Sequence, residues 1–268
     1  MKTNYHTHTV WCDGKNTVEE MILSAVEKGF GVIGFSSHST YPDDNACTVT
    51  CEKLPAYFAE VRSMSAKYAD RIKVLCGVEA DYIPGTTDPD RSRYLKFSPD
   101  YIIGSIHYVV ASDGVRVPVD HTPELLADGI VAHFGGSAES FVRAYFAQER
   151  EMVGRFDFDI VGHADLCRKF NAKHPYFNED SSWYLEELEK TADAIAESGK
   201  MVEVNTGAIS RGWLDDAYPS AEFRAMLRER NVKFVLNSDS HAVDTIDCAF
   251  ARFALAENFF DFPFRSVV

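Results

Sequence analysis

The 268-residue sequence has no apolar run long enough to cross a membrane, and its first residues lack the basic-then-apolar pattern of a secretory signal. Basic residues are also scarce: 27 lysines and arginines stand against 41 aspartates and glutamates, for a formal net charge of −14. Because such a surface repels phosphate backbones, no nucleic-acid partner is expected. These absences predict a cytoplasmic protein without a membrane partner.

Cysteine motifs that hold a metal or a disulfide framework are absent as well. The six cysteines are scattered, with no C-x-x-C pair, so the sequence predicts neither a zinc ribbon nor a disulfide framework. We expect reduced thiols, most of them buried. The nucleophile elbow G-x-S-x-G and the phosphate-binding loop G-x-x-x-x-G-K-[ST] are also missing, so nothing in the sequence indicates a covalent intermediate.

The sequence does contain a regular alternation of two apolar patterns. Short β-branched or apolar runs predict buried strands, and the stretches between most of them carry apolar residues at helical spacing. This alternation is typical of parallel βα units, and without a linker or repeat it predicts one domain over residues 1–268. The predicted strands lie around Tyr5 and at Ile33-Gly34-Phe35, Ile72-Lys73-Val74-Leu75, Tyr101-Ile102-Ile103, Asp159-Ile160-Val161, Met201-Val202-Glu203-Val204 and Lys233-Phe234-Val235-Leu236.

Seven strands are one fewer than a standard eightfold barrel contains, which favours an α/β fold of the TIM-barrel-like kind, a distorted sevenfold (β/α) barrel. Helices are predicted around residues 18–26, 141–145, 185–195 and 223–227, where the apolar residues recur at helical spacing. Residues 83–97 and 111–136 are predicted to form long loops over one face.

Each predicted strand closes on a polar residue that can do chemistry. A barrel gathers the carboxyl ends of its strands on one face, so the active site is expected there. Pairs spaced two apart, such as His6 and His8, point to the same side of an extended strand, and Asp13 can fold back from its glycine-containing loop. The candidate metal ligands are His6, His8, Asp13, His38, Glu79, His107, His163, Asp239 and His241.

Imidazole and carboxylate groups are ligands of zinc, manganese and iron, and a carboxylate such as Glu79 can bridge two metals. Nine ligands exceed the need of one ion and fit two or three ions better. His121, His133 and His174 lie on predicted loops, and we interpret them as ordinary surface or core histidines and not as ligands.

Six segments resemble, in chain order, the motifs of the polymerase-and-histidinol-phosphatase (PHP) superfamily. They are His6-Thr7-His8, Ser37-His38, Gly77-Val78-Glu79, Ser105-Ile106-His107, Gly162-His163 and Asn237-Ser238-Asp239-Ser240-His241. The segments around Asp13, His163 and Glu203 are similar to the histidinol-phosphatase branch of that superfamily. The resemblance implies a distorted sevenfold barrel with three divalent metal ions, zinc, manganese or iron. By motif, His6, His8, Glu79 and Asp239 would hold the first ion, Glu79, His107 and His163 the second, and Asp13, His38 and His241 the third. Many superfamily members have a histidine where this chain has Asp13.

The resemblance also implies a phosphatase that hydrolyses L-histidinol phosphate, a small phosphate ester, in histidine biosynthesis. A hydroxide bridging two of the ions would be the nucleophile, with Glu79 and Asp239 in the catalytic centre and Asp239 or Asp165 as proton donor to the leaving group. Arg168, Arg211 and Lys15 follow polar strand ends and are predicted to bind the phosphate. Asp81, Tyr108 and residues 111–136 are candidates for binding the ammonium and imidazole groups.

Three other functions fit parts of the pattern. Another phosphoesterase of the superfamily, acting on a different small ester or on a nucleotide phosphodiester, would use the same metals, although the acidic charge argues against nucleic acid. A non-catalytic metal-binding domain would be expected to have lost ligands. An amide hydrolase on a metal-bearing barrel shares the H-x-H pair and a late aspartate, but no lysine ligand is evident at a strand end. The sequence makes no prediction of oligomeric state.

Overall fold

Seven parallel strands form the central sheet of the computed structural model, which describes residues 1–41, 47–254 and 259–260. The sheet order is β1-β2-β3-β4-β7-β8-β9, and β5 and β6 form a separate antiparallel hairpin. All seven predicted strands are confirmed. The strands are β1 (Thr3–Asn4), β2 (Val32–Phe35), β3 (Lys73–Asp81), β4 (Tyr101–Ser105), β5 (Tyr108–Val110), β6 (Arg116–Pro118), β7 (Ile160–Val161), β8 (Met201–Asn205) and β9 (Phe234–Asn237).

Helices connect most of these strands. Thr17 begins the first helix with a capping box, in which its side chain accepts from the Glu20 N–H and the Glu20 side chain accepts from the Thr17 N–H. The helices predicted from apolar spacing are confirmed as α1, α4, α5 and α7. The helices are α1 (Val18–Glu27), α2 (Leu54–Lys67), α3 (Pro123–His133), α4 (Ala138–Arg155), α5 (Ser182–Ser198), α6 (Gly207–Ser210), α7 (Ala221–Glu229) and α8 (Phe250–Ala254), with 3₁₀ turns at Arg91–Phe97, Leu166–Arg168 and Val243–Thr245.

Two apolar clusters lie on opposite faces of the sheet. The larger one packs the sheet against the helices, and the smaller one joins Tyr5 to buried side chains from the other six strands, including Val32, Tyr101 and Val235. Within the smaller cluster the Tyr101 hydroxyl donates to the Tyr5 carbonyl at 2.5 Å. The Tyr101 ring needs glycine beside it, because a Cβ at Gly77 would lie 2.6 Å from its Cζ atom. The face of the sheet that carries the smaller cluster is therefore filled by side chains.

The prediction of a loop over residues 111–136 is wrong. This segment contains β6 and α3, and α3 begins after the Thr122 cap with Pro123 in its first turn. Its buried residues Leu126 and Ile130 have helical spacing, so the signal was present in the sequence. The predicted loop at residues 83–97 likewise ends in a 3₁₀ turn.

None of the six cysteines, all of which lie in the described ranges, is in a disulfide, but only Cys76 and Cys167 are buried, so the expectation that most would be buried is wrong. No helix in the described part of the chain is both long enough and apolar enough to cross a membrane. The cytoplasmic location and the absence of a nucleic-acid partner stay predictions.

Candidate metal centre

The nine predicted ligands meet beyond the carboxyl ends of the central strands. A bridge between His38 and Glu79 extends the β2–β3 pairing and brings these two ligands together. A second parallel bridge joins Thr7 to Ser240, where the His8 N–H donates to the Ser240 carbonyl at 2.8 Å. This bridge places His8 beside Asp239 and His241, from the far end of the chain.

Glu79 lies at the centre of the cluster, where it is 1% exposed. Its Oε2 atom is 3.0 Å from His6 Nε2, 3.1 Å from His38 Nδ1 and 3.5 Å from His8 Nε2. Its Oε1 atom is 3.0 Å from His163 Nε2 and 3.5 Å from His107 Nε2. The two carboxylate oxygens therefore face two different sets of imidazoles, as a carboxylate that bridges two ions would.

Asp239 and Asp13 complete the cluster. Asp239 Oδ1 is 3.4 Å from His8 Nε2 and 3.8 Å from His6 Nε2. Asp13 Oδ2 is 2.9 Å from His241 Nε2 and 3.8 Å from His38 Nε2. Asp239 has a φ of 51°, a left-handed backbone conformation that a non-glycine residue adopts at a cost and that is common at functional sites.

Three groups within this cluster have ligand atoms all within 4.8 Å of one another. Each group mixes imidazole with carboxylate, the donor set that zinc, manganese and iron accept. His8 and His38 each belong to two groups, so they lie between neighbouring positions for an ion. The groups are His8, Asp13, His38 and His241; His6, His8 and Glu79; and His38, Glu79 and His107.

Two further carboxylates hold the outer nitrogens of these histidines. Glu203 Oε2 is 2.9 Å from His6 Nδ1, and Asp81 Oδ1 is 2.6 Å from His107 Nδ1. A carboxylate on the outer nitrogen orients a histidine and leaves its other nitrogen for a metal. Sequence reasoning named Glu203 only within a predicted strand and within a segment similar to the histidinol-phosphatase branch, and it named Asp81 as a candidate for binding the ammonium or imidazole group of the substrate. Because Asp81 contacts His107 Nδ1, the better interpretation is that Asp81 orients His107, one of the candidate metal ligands.

The electrostatics of the cluster favour bound positive charge. Burial lowers the pKa of the His6 imidazole, but Glu203, Glu79 and Asp239 together raise it above its ordinary value. Burial raises the pKa of Glu79, and the surrounding imidazoles outweigh it and lower that pKa well below its usual range. These carboxylates hold protons on nearby imidazoles, and divalent cations would meet the same demand for positive charge. The donor set and its electrostatics thus fit metal ions.

A cavity of about 230 Å³ opens above the cluster. Arg211 lies in its wall, with Nη2 3.1 Å from Asp239 Oδ1 and Nη1 3.2 Å from Asp239 Oδ2. Lys169, which sequence reasoning did not single out as a phosphate-binding residue, also lies there, with Nζ 3.0 Å from Asp120 Oδ2. The wall also carries Tyr41 and Tyr108, whose ring centroids are 5.2 Å apart.

A family model of the PHP domain matches residues 4–207, most of the chain. The chain belongs to the PHP domain family. The "Probable histidinol-phosphatase" of Deinococcus radiodurans is 31% identical to it over 252 residues, which cover 92% of this chain and 88% of that protein.

Two solved structures resemble this PHP domain closely in fold. A crystal structure assigned as the histidinol phosphatase HisK of Listeria monocytogenes superposes with a TM-score of 0.85 at 25% identity, covering 94% of this chain and all of that one. The histidinol phosphate phosphatase of Lactococcus lactis, crystallised with zinc, L-histidinol and phosphate, superposes with a TM-score of 0.69 at 21% identity, covering 98% and 96%. The second likeness concerns the fold alone.

Three residues predicted for the active site of this PHP domain lie elsewhere. Arg168 is buried, its Nε donates to Glu179 at 2.9 Å, and it is not part of the cavity wall. Lys15 is exposed and also lies outside that wall. Asp165 is fully buried behind His163, where its Oδ2 accepts from the Ser220 N–H at 2.7 Å. Placement therefore does not favour phosphate binding by Arg168 or Lys15, or proton donation by Asp165.

Two histidines that were predicted to lie on loops differ in their placement. His121 is exposed at the cavity wall, with Nε2 3.1 Å from the Tyr108 hydroxyl, and it belongs to none of the three ligand groups. His133 pairs with Asp113 at the exposed end of α3 and belongs to none of the three ligand groups. Position along the chain could not separate the two.

Proposed function

We propose that this PHP domain is a metal-dependent phosphomonoesterase that hydrolyses L-histidinol phosphate to L-histidinol and phosphate. The observation that carries the proposal is Glu79, whose two oxygens face separate sets of imidazoles at the floor of a small cavity. Basic side chains in the wall of that cavity add the means to bind an anionic ester. The names of the relatives from Deinococcus and Listeria support the same substrate.

We assign three divalent cations to the centre. His6, His8, Glu79 and Asp239 would hold the first, Glu79, His107 and His163 the second, and Asp13, His38 and His241 the third. Bound cations would supply Lewis-acid activation of water to a bridging hydroxide and neutralise charge on the phosphoryl oxygens. Zinc, manganese and iron all suit this donor set. The third position has fewer buried ligands, since the side chain of Asp13 is 29% exposed and that of His241 23% exposed.

Arg211 and Lys169 are the phosphate-binding residues in this proposal. Each is anchored by a carboxylate, Asp239 for Arg211 and Asp120 for Lys169, which fixes the cation before the substrate arrives. A guanidinium can donate two parallel hydrogen bonds to a phosphoryl group. Arg211 thus takes the role predicted for it, and Lys169 takes the role predicted for Arg168.

The organic part of the substrate has a matching wall. The rings of Tyr41 and Tyr108 offer flat apolar surface for an imidazole, and Asp120 offers a carboxylate for an ammonium group. A cavity of about 230 Å³ suits a small ester better than a polymer. This favours histidinol phosphate over a nucleotide phosphodiester as substrate.

The scaffold in this proposal is one domain over residues 1–268, closed as a distorted sevenfold barrel. The bridge between Thr7 and Ser240 supports closure between the first and last strands, as does the apolar cluster that draws on all seven strand regions. Closure would bring the first and last ligands of the chain, His6 and His241, into one centre.

The test is ester hydrolysis by protein stripped with a chelator and then reloaded with zinc, manganese or iron, followed as phosphate release for the monoesters and as release of the leaving alcohol for the diester. Histidinol phosphate, a sugar phosphate and a phosphodiester are compared on the same preparations. We expect activity only after reloading, with the highest kcat/KM for histidinol phosphate. Activity that survives complete metal removal would refute the mechanism, and preference for the diester would refute the substrate.

Variants locate the activity at the proposed centre. His163→Asn removes a buried ligand, and His174→Asn removes an exposed loop histidine as a matched control. We expect loss of bound metal and activity in the first variant and neither loss in the second. Equal behaviour of the two variants would place the active site elsewhere.

A further inference from the structure

Glu203 is a fully buried carboxylate in the middle of β8 that lies outside the cavity wall. It accepts hydrogen bonds from groups on four segments of the chain. His6 Nδ1 lies 2.9 Å from Oε2 and 3.1 Å from Oε1, and the His163 backbone N–H donates to Oε1 at 2.8 Å. The side-chain amides of Asn205 and Asn237 also donate, each at 2.8 Å. Glu203 therefore joins the ends of β1, β7 and β9 to its own strand.

This contact set fixes the protonation of His6. The His163 N–H and the two amide groups can only donate, so the carboxylate acts purely as an acceptor. His6 Nδ1 must then carry a proton, because a bare nitrogen would face a carboxylate without a hydrogen between them. A neutral His6 with its proton on Nδ1 has its lone pair on Nε2, the atom that lies 3.0 Å from both His8 Nε2 and Glu79 Oε2. Nε2 also faces a carboxylate, but Glu79 and His8 are themselves proposed ligands, so a cation would take the place of a proton there, whereas Glu203 is hydrogen-bonded only to donors.

We propose that Glu203 is a positioning residue of the metal centre, which holds His6 in the tautomer whose Nε2 binds metal. The inference rests on the proposed metal site but not on the substrate. A glutamine in place of Glu203 could accept through one atom only, and its amide NH₂ would face a donor. Zinc affinity should therefore fall without the loss of any group that contacts the metal.

Zinc affinity, measured by competition with a chromogenic chelator, is the first readout. We expect Glu203→Gln to weaken the affinity by about 10- to 100-fold, the usual loss when a carboxylate behind a ligating histidine is removed. Glu149→Gln is the matched control, because Glu149 is also fully buried but neither of its oxygens has a hydrogen-bond partner in the described residues. Wild-type affinity in Glu203→Gln would overturn the proposal.

A double-mutant cycle separates positioning of His6 from general support of the strand ends. In a His6→Asn background the imidazole is gone, so Glu203→Gln should add little further loss of zinc affinity. Full additivity of the two losses would overturn the proposal, because Glu203 would then act through its other contacts.

A third readout needs no substitution at Glu203. In zinc-loaded wild-type protein with ¹⁵N-labelled histidine, we expect the His6 signals, assigned by their absence in His6→Asn, to have the proton on Nδ1. A proton on Nε2 would overturn the proposal even if Glu203→Gln failed to fold. Neither zinc affinity nor the tautomer depends on phosphatase activity, so failure of the proposed substrate would be seen separately.

Discussion

Glu149 is a buried carboxyl group on α4, and its replacement by glutamine should change how stability depends on pH. The residue is 0% exposed, and both of its oxygens lack a hydrogen-bond partner among the described residues. Burial raises the pKa of Glu149 well above its ordinary value of 4.5, and the nearby charge of Asp165 raises it further. The other titratable groups that interact with it, Tyr145 and Cys167, are not cations and cannot offset this effect.

The sign of the effect follows from proton release. Because the native-state pKa lies above the unfolded-state value, unfolding releases a proton at every pH between 4.5 and the raised pKa. Through Glu149 alone, the wild-type protein therefore loses about 1.4 kcal/mol of stability for each unit by which the pH rises in this window. Glu149→Gln has no such proton to release, so its stability relative to the wild type should rise by the same amount for each unit.

Urea unfolding of metal-free protein at several pH values measures this difference. Glu151→Gln is the matched control, because it removes a carboxyl whose side chain is 41% exposed from the same helix. Its profile provides the baseline for the loss of one acidic side chain. A Glu149→Gln difference that stays level with pH, or that falls as pH rises, would refute the reasoning and indicate that Glu149 is ionised in the native state.

Three further predictions concern the metal centre and its cavity. Reloading stripped protein with zinc at a free concentration 100 times the Kd should stabilise it by about 2.7 kcal/mol for each site filled; calorimetry tests this, and an unchanged Tm would contradict a folded-state metal site. Arg211→Met should lower kcat/KM about 10- to 100-fold, the value of a charged hydrogen bond. Arg168→Met should chiefly lower Tm, because that arginine pairs with Glu179 outside the cavity wall. The reverse pattern would restore Arg168 as the phosphate ligand. Gly207→Ala should also lower kcat/KM, since its Cβ would lie 2.3 Å from Arg211 Nη1 and 3.0 Å from Asp239 Oδ2, and normal kinetics would show that the guanidinium position is not critical.

The strands and the candidate ligands could be predicted because short local patterns in the sequence indicate both. A run such as Lys233-Phe234-Val235-Leu236 predicts a buried strand by itself, and the rule that strand ends share one face then brings Asp239 and His241 to the centre. Helix α3 also has local sequence signals, namely the Thr122 cap, Pro123 in the first turn and the helical spacing of Leu126 and Ile130. It was not predicted because the surrounding stretch is polar.

The surroundings of the ligands could not be predicted in the same way. The ion pairs of the folded chain distinguish the basic residues in the cavity wall from those outside it. Arg168 pairs with Glu179 outside the wall, whereas its neighbour Lys169 pairs with Asp120 in the wall. The two residues are adjacent in the sequence, and only the folded chain separates their roles. Asp81 likewise binds His107 across β3 and the segment after β4, a contact that no spacing rule indicates.

Glu149 and Glu203 illustrate why residue type and burial do not identify a functional carboxylate. Both are glutamates, and both are 0% exposed. Burial raises the pKa of each, but in Glu203 the charge of His6 and the hydrogen bonds from His6 and Asn205 outweigh burial and lower the pKa, whereas Glu149 has no such donor and keeps the raised pKa. A buried carboxylate that remains ionised must be held by its donors, so it can in turn fix the proton on one of them. On this reasoning Glu203 is ionised and can orient His6 in the proposed metal centre, whereas Glu149 remains protonated in the native state.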